Sequence, residues 1–215
     1  MANGIDLGGT AATRARYNRI APVYDFLETL AEHSFKPLRE KLWAETRGEI
    51  LEVGVGTGKN FAYHPDNAHI IGIDLADRVL ARARARAREL DVAVELYEGD
   101  VQQLAFAANT FDSAVATCVF CSVPDPVRGL RELNRVVKPN GKILFIEHVR
   151  VDMPLIGRVM DLLNPLVVRL WGANINRRTI ENIQRAGLCI EKVDHYGPMQ
   201  MVKLIVAHPN KIANG

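Results

Sequence analysis

The fold of this 215-residue chain can be inferred first from the stretch ILEVGVGTG, which runs from Ile50 to Gly58. Its first four residues favour a β-strand, and three glycines follow at alternate positions, Gly54, Gly56 and Gly58. Alternate glycines after a strand let the chain turn sharply into a helix, and they let a ligand approach the backbone without meeting a Cβ. The stretch therefore predicts a loop that binds a nucleotide-type ligand, with the acidic Glu52 beside it.

Strand and helix patterns alternate around this loop. Strands are predicted at Glu49–Val53, His69–Asp74, Val94–Glu98, Ser113–Thr117 and Lys142–Glu147. Helices are predicted from Lys59 onward, over Asp77–Leu90 and over Asp125–Val137. Strands that alternate with helices predict an α/β fold, with a doubly wound and mostly parallel sheet and right-handed crossovers.

The last third of the chain does not continue this alternation of strands and helices. Two helices, Met153–Trp171 and Arg177–Ala186, are followed by two strand patterns, Cys189–Asp194 and Gln200–Val206. A Gly197-Pro198 turn separates those strands. We therefore expect a hairpin that closes one edge of the sheet.

The chain is predicted to form a single domain over residues 1–215, without an internal repeat or linker. Residues 1–13 are rich in Gly, Ala and Thr and are predicted to be mobile. Apolar residues then recur every three or four positions, which predicts a helical cover over residues 14–43 with breaks near Pro22 and Pro37.

The composition narrows the classes of function. A net charge of +2 and 24% charged residues argue against a dedicated nucleic-acid binder, and the arginines of residues 81–88 fit a solvated helix. Three cysteines fit a reducing compartment, so a cytoplasmic location is expected. Cys118 and Cys121 have C-x-x-C spacing, but no second pair with zinc-site spacing follows, and no metal is expected.

Two acidic residues are predicted to lie near the glycine loop. Asp74 ends the second strand and Asp100 follows the third, and ligands of such sheets bind outside the carboxyl ends of the strands. Asp74 is placed to accept ribose hydroxyls, and Asp100 to accept an adenine amino group. The pattern G-x-G-x-G departs from the dinucleotide fingerprint, so NAD is disfavoured without being excluded. Together with Glu52, these acids suit a cationic nucleoside such as S-adenosylmethionine better than a pyrophosphate.

The chain resembles the class I S-adenosylmethionine-dependent methyltransferases over roughly residues 17–206. The motifs that carry the resemblance are Glu52–Gly58, Asp74, Gly99–Val101, Asn109–Asp112 and Val137–Gly141. The segment Arg16–Asp25 further resembles the ubiquinone/menaquinone C-methyltransferases and the bacterial phosphatidylethanolamine N-methyltransferases, in which it folds over the cofactor. The segments Thr117–Val123, Glu147–Val149 and Gly172–Thr179 are similar to the mammalian microsomal thiol methyltransferases.

This resemblance implies a seven-stranded sheet with a reversed final strand and S-adenosylmethionine as the cofactor. Leu75 and Val101 would flank the adenine, while Thr117 and Cys118 would approach the methionine end. The residues expected at the cofactor are Tyr17, Tyr24, Glu52, Gly54, Gly56, Gly58, Asp74, Leu75, Asp100, Val101, Thr117 and Cys118.

The methyl acceptor is predicted to be a small or lipid-like molecule. N-methylation of an amino-phospholipid such as phosphatidylethanolamine is the first expectation; thiol S-methylation, quinol C-methylation and a noncatalytic binding module are the alternatives. His148 and Tyr24 are the candidate catalytic residues. The apolar helix 153–171, part of an acceptor-side insertion over residues 153–186, either roofs the pocket or lies peripherally at the inner face of a membrane. The sequence leaves the oligomeric state open.

Overall fold

The structure is a computed structural model that describes residues 6–211, and for residues 22–33 and 171 it describes the helical backbone alone. Seven strands form one sheet in the order β3-β2-β1-β4-β5-β7-β6. The strands are β1 (Glu49–Val53), β2 (His69–Asp74), β3 (Glu95–Glu98), β4 (Phe111–Thr117), β5 (Val137–His148), β6 (Leu188–Tyr196) and β7 (Val202–Pro209). The helices are α1 (Leu7–Ala44), α2 (Asp77–Glu89), α3 (Pro126–Val136), α4 (Pro154–Trp171) and α5 (Thr179–Arg185).

The pairing of the strands confirms the predicted sheet. Strands β3, β2, β1, β4 and β5 pair in parallel, and β7 is antiparallel to both β5 and β6. The final strand is therefore reversed and lies between β5 and its hairpin partner β6. Because the first five strands run in one direction, their carboxyl ends meet at one edge of the sheet.

Alternating side chains of the strands build a core on each face of the sheet. Leu51, Phe145 and their neighbours pack in the cluster that includes residues of α3 and α5. Ile50 and Leu144 face the other way and pack in the cluster that includes the C-terminal part of α1. Since successive strand residues point to opposite faces, Glu52 lies on the same face as Ile50. It is fully buried there.

The N-terminal helix differs from the expectation in two ways. It begins at Leu7, so residues 7–13, which were predicted to be mobile, form its first turns. The side chain of Asp6 caps it by accepting a hydrogen bond from the Gly9 N–H (2.9 Å). The helical backbone is also continuous through both prolines, whereas breaks were expected. Near Pro37, burial of Leu38 and Leu42 offsets the hydrogen bond that proline removes.

The helix predicted from Lys59 onward is wrong. Only a short 3-10 turn, Phe61–Tyr63, follows the glycine loop. His64 ends it in an extended conformation, which is the preference of a residue that precedes proline. The loop instead buries Asn60, which becomes important for the site.

Candidate active site

A cleft that is partly open to solvent lies at the carboxyl ends of β1, β2 and β4. It brings together nine of the twelve residues predicted at the cofactor: Tyr17, Gly54, Gly56, Asp74, Leu75, Asp100, Val101, Thr117 and Cys118. The other lining residues are Thr13, Ile73, Val79, Gly99, Val119, Ser122, Val123 and Pro124. These residues come from five separate stretches of the chain, and the topology of the sheet gathers them at one edge.

The glycine loop forms the floor of the cleft. Gly54, Gly56 and Gly58 all have positive φ angles (64°, 58° and 83°), a region that favours glycine. A Cβ at Gly54 would lie 2.6 Å from Val119, and one at Gly58 would collide with Phe61. A Cβ at Gly56 would meet no atom within 4 Å. Gly54 and Gly58 therefore serve close packing within the protein, while Gly56 leaves room for a ligand.

Asp74 fixes the shape of the glycine loop. Its Oδ2 accepts the Gly56 N–H (2.9 Å), and its Oδ1 accepts the Ala76 N–H (2.9 Å). Burial raises the pKa of this carboxyl, while the backbone hydrogen bonds oppose that rise. Each carboxylate oxygen can accept a second hydrogen bond, so Asp74 retains acceptor capacity towards the cleft.

Asp100 lies at the neighbouring strand end and is held by polar groups from two elements. Its Oδ1 accepts the Gln102 N–H (2.8 Å), and its Oδ2 accepts the hydroxyl of Thr10 (3.2 Å). Thr10 belongs to α1, so the cover helix contacts this acid directly. Asp74 and Asp100 thus lie side by side on the β2–β3 side of the cleft, as the sequence predicts.

The first half of α1 lies across the cleft. The hydroxyl of Tyr17 forms a hydrogen bond with the hydroxyl of Ser122 (2.5 Å) on the opposite wall. Asn18 donates to Asp77 (2.6 Å) and accepts the Arg78 N–H (3.1 Å), so it caps α2 at a point where Ala76 offers no capping side chain. Among the described side chains of the cover, Thr10, Thr13 and Tyr17 contact the cleft or its acid Asp100.

Glu52 is fully buried and does not line the cleft. Its Oε1 accepts the Asn60 amide (2.7 Å), and its Oε2 contacts the His64 Nε2 (2.9 Å). The same Asn60 amide donates to the Thr117 hydroxyl (3.2 Å), and its carbonyl oxygen accepts from Arg39. Glu52 therefore holds the Asn60 side chain, which in turn donates to Thr117 in the lining of the cleft. Sequence reasoning missed Arg39, Asn60 and His64; the polar Asn60, two residues after Gly58, was the available signal.

Among the described side chains, three predicted residues do not line the cleft: Glu52, Gly58 and His148. Gly58 packs against Phe61, as above. His148 is half-buried outside the cleft, and burial lowers the pKa of its imidazole. His148 follows Glu147 on the strand and points to the opposite face, so its position at the strand end did not bring it to the cleft. The side chain of Tyr24 lies outside the described residues.

Glu147 is a buried acid next to the cleft. Its Oε1 accepts the N–H groups of Val119 (2.9 Å) and Phe120 (3.0 Å), and its Oε2 has no hydrogen-bond partner among the described residues. Burial raises the pKa of this carboxyl to about 7, although the backbone N–H groups counteract the rise. An ionisable group with this environment beside a cleft is a candidate for a functional role.

Glu147 should make the stability of the protein depend on pH. The pKa of Glu147 in the folded protein lies above the ordinary 4.5. The contribution of this carboxyl to the free energy of unfolding is therefore fully present below pH 4.5 and is lost as the pH rises through about 7. Between pH 5 and 8 the free energy of unfolding of the wild type should fall relative to Glu147→Gln by about 3 kcal/mol. Urea unfolding of both proteins at the two pH values measures this difference.

Glu132→Gln provides a control with the opposite sign. Arg135 lowers the pKa of Glu132, so that side chain contributes stability above its unfolded pKa and loses it as the pH falls. That loss lies below the ordinary pKa of 4.5, so between pH 5 and 8 the stability difference between the wild type and Glu132→Gln should stay nearly constant. A fall matching that of the Glu147 pair would contradict the assignment for Glu147.

The cysteines lie in different environments. Cys118 lines the cleft, with a φ of 56° and its N–H bonded to the Ile146 carbonyl (2.7 Å). Cys121 is buried, and burial raises the pKa of its thiol to about 12, whereas Cys189 is exposed. Among the side chains of residues 6–21, 34–170 and 172–211, no cluster of three His, Cys, Asp or Glu is arranged to hold a metal ion.

Comparison with known proteins identifies the family. A methyltransferase domain model matches residues 51–145. A phosphatidylethanolamine N-methyltransferase of Cereibacter sphaeroides is 36% identical over 107 residues, which cover 49% of this chain and 53% of that protein. The chain thus spans about half the length of this relative. The thiol S-methyltransferase TMT1A of Homo sapiens is 30% identical over 166 residues, covering 75% of this chain and 68% of that protein.

A solved structure shares the fold. The S-adenosylmethionine-dependent methyltransferase of Thermotoga maritima, a possible histamine N-methyltransferase, superimposes with a TM-score of 0.69 at 20% identity, covering 92% of this chain and 100% of that chain. The matched domain, the relatives and the shared fold together show that the chain belongs to the class I S-adenosylmethionine-dependent methyltransferases.

Proposed function

We propose that S-adenosylmethionine lies along the cleft with its ribose at Asp74 and its adenine at Asp100, between Leu75 and Val101. The residues fit this ligand because two acceptor carboxylates stand side by side and Gly56 presents bare backbone to open space. When bound, the cofactor supplies a methyl group that is already activated on a positively charged sulfur. The protein then has to align the acceptor and exclude water.

Thr117, Cys118 and Tyr17 are proposed to surround the methionine end. Asn60 donates to the Thr117 oxygen, so the Thr117 hydroxyl hydrogen is free to point elsewhere. A hydroxyl donor suits the carboxylate of an amino acid. Tyr24 stays a prediction here, since its side chain lies outside the described residues.

Asp74→Ala should weaken the binding of S-adenosylhomocysteine by about 1–3 kcal/mol, because it removes acceptors for the ribose and loosens the Gly56 loop. Titration calorimetry measures the change. Asp112→Ala is the matched control: Asp112 also accepts a backbone N–H, from Glu49, but it lies at the opposite edge of the sheet. Equal losses of affinity in both variants would contradict the proposed placement.

We further propose that the acceptor is the amino group of a phospholipid of the phosphatidylethanolamine type. The observation that carries this proposal is the apolar face of α4. Its exposed side chains are Leu155, Val159, Leu162, Leu163, Leu166 and Leu170, with Met153 just before the helix. Leu155 and Leu162 are 75% and 79% exposed, so packing within the protein does not account for them. A contiguous apolar face of this kind is typical of an interaction surface.

The charges around α4 fit a lipid surface. Arg158 and Arg169 flank the exposed leucines on one side at helical spacing, as expected for a helix that lies at an anionic interface. Asp161 points away from the apolar face and pairs with Arg150 (2.8 Å). No helix of the described part of the chain is long and apolar enough to cross a membrane. We therefore propose peripheral contact with the inner face of a membrane.

The apolar helix is physically linked to the cleft. Gly172 ends α4 and lies beside Tyr17 of the cover. Two residues later, the Asn174 N–H donates to the Cys121 carbonyl (2.9 Å), close to the cleft residue Ser122. A lipid head group that reaches the protein over α4 would thus arrive next to the wall formed by residues 118–124.

The cleft favours an amine over a quinol ring carbon. Activation of a quinol would benefit from a base at its hydroxyl, and His148, the candidate for that role, does not line the cleft. An amine needs only to arrive unprotonated. Thiol S-methylation is the second candidate, because TMT1A matches three quarters of this chain.

Transfer from methyl-labelled S-adenosylmethionine tests these acceptors directly. The purified protein is incubated with phosphatidylethanolamine vesicles, with small alkyl thiols, or with demethylated quinols. Label in the phospholipid fraction alone is the expected result. Label only in the thiol or quinol product would overturn the phospholipid proposal, while leaving the cofactor placement intact.

A further inference from the structure

The segment that follows β4, residues 118–124, forms one wall of the cleft and is called the β4 loop here. Five of its seven residues line the cleft: Cys118, Val119, Ser122, Val123 and Pro124. The loop also carries the Ser122 hydroxyl to which the cover helix is bonded through Tyr17. Any change in the shape of the loop therefore changes the shape of the cleft.

The carboxylate of Glu147 accepts hydrogen bonds from the backbone of the β4 loop. Cys118 has a left-handed backbone conformation (φ 56°), after which the N–H groups of Val119 and Phe120 both point at one carboxylate oxygen of Glu147 (2.9 and 3.0 Å). Successive N–H groups arranged in this way form a concave anion site, and here a side chain of the protein fills it. Hydrogen bonds to an ionised acceptor are roughly twice as strong as neutral ones.

The other side of the loop is held through its carbonyl groups. Arg177 donates to the Val123 carbonyl (2.7 Å), and the Asn174 amide donates to the Cys121 carbonyl (2.8 Å). Neither of these residues can replace Glu147, because both donate to the loop and Glu147 accepts from it. The loop is thus held between side chains that donate to its carbonyl groups and the Glu147 carboxylate, which accepts from its N–H groups.

We propose that Glu147 is a positioning residue for methyl transfer, and that its carboxylate holds the β4 loop in the shape that binds the cofactor. Glu147 itself touches no ligand, since it is fully buried behind Val119. The inference rests on the proposed placement of the cofactor in the cleft. It adds a residue that neither the glycine motif nor the two aspartates would identify.

The charge of this carboxylate changes within the physiological range of pH. Its pKa is raised to about 7 by burial, and the nearby ionisable groups are the Cys121 thiol and the Arg177 guanidinium. Lys203 lies opposite Glu147 in the β5–β7 register and is buried, but it forms no ion pair with Glu147 in the described structure. His148 points to the other face. Protonation therefore weakens the acceptor that holds the loop, and no other acidic side chain among these neighbours can take its place.

Glu147→Gln mimics the protonated carboxyl with the same size. At pH 8.5 the variant should bind S-adenosylhomocysteine roughly tenfold more weakly than the wild type, because neutral hydrogen bonds replace charge-assisted ones. At pH 6 the two proteins should bind within twofold of each other. Asp74 also has a raised pKa, but it is present in both proteins, so the ratio of the two affinities isolates Glu147.

Stability provides a readout that separates positioning from a merely structural role. At pH 8.5 the Gln variant should unfold at a higher temperature than the wild type, although it binds more weakly. Glu147→Asp should keep the pH dependence of binding. A constant affinity ratio between pH 6 and 8.5, or a loss of affinity that accompanies a loss of stability at pH 8.5, would overturn the proposal.

Nuclear magnetic resonance of the wild type tests the same point without a variant. The amide protons of Val119 and Phe120 should shift with a common midpoint near pH 7, and flat shifts between pH 5.5 and 8.5 would overturn the proposal even if the variants failed to fold. A wild type that binds no S-adenosylhomocysteine at any pH would instead refute the cofactor placement, so the two failures are distinguishable.

Discussion

Replacement of Gly56 by valine is expected to lower the affinity for S-adenosylhomocysteine by roughly a hundredfold, about 2.7 kcal/mol. A side chain at this position would project into the open space of the cleft, where no protein atom lies within 4 Å. The substitution also strains a backbone with a φ of 58°, which loosens the N–H that Asp74 accepts. Titration calorimetry with the product measures the loss of affinity.

Gly187→Val separates backbone strain from occupation of the cleft. Gly187 has a similar positive φ of 82°, and the nearest atom to its Cβ position is the Asn134 amide at 4.0 Å, far from the ligand edge. Both variants should lose stability through the strained conformation, but only Gly56→Val should lose affinity. Comparable loss of affinity in both would show that strain, and not the open space above Gly56, explains the effect.

The double substitution Leu162→Glu and Leu166→Glu is expected to abolish binding to phosphatidylethanolamine vesicles that contain anionic lipid. Each leucine that inserts into the interface contributes about 1.5–3 kcal/mol, and a carboxylate at the same place would oppose insertion. Two such losses exceed a hundredfold in the partition coefficient. Sedimentation of the protein with vesicles measures this partition coefficient.

A second pair of exposed apolar residues serves as the control. Leu90→Glu and Met199→Glu add the same two charges at exposed sites outside α4. Vesicle binding should survive this change, and the binding of S-adenosylhomocysteine should survive both. Equal loss of vesicle binding in the two double variants would mean that net charge, and not the apolar face of α4, governs the interaction.

Much of the fold could be predicted because its signals are local. Strands β1 and β2 have the bounds expected from the sequence, since each is a short apolar run that ends at a glycine or an acid. Their carboxyl ends meet by topology, so the positions of Asp74 and Asp100 could be inferred without knowledge of side-chain contacts. The Gly197-Pro198 turn likewise fixed the hairpin of β6 and β7.

The parts that the sequence did not predict depend on contacts between distant residues. Residues 7–13 are helical because Asp6 caps them and Thr10 bonds to Asp100, ninety positions away. Strand alternation alone could have turned Glu52 away from the cleft, but the partner that connects it to Thr117 is Asn60 in an irregular loop. Similarly, His148 was the candidate at the end of β5, and only the contacts of the neighbouring Glu147 with the β4 loop show that Glu147 is the residue beside the cleft.

The capping of α2 by Asn18 links the cover helix to the first turn of α2. Asn18 belongs to the cover helix, whereas the Arg78 N–H that it accepts belongs to the first turn of α2. If the cover moves away to admit a ligand, that turn loses its cap and should fray at the same moment. We therefore expect ligand exchange to be visible as faster hydrogen–deuterium exchange at the start of α2, and a tightly bound product to slow the exchange there.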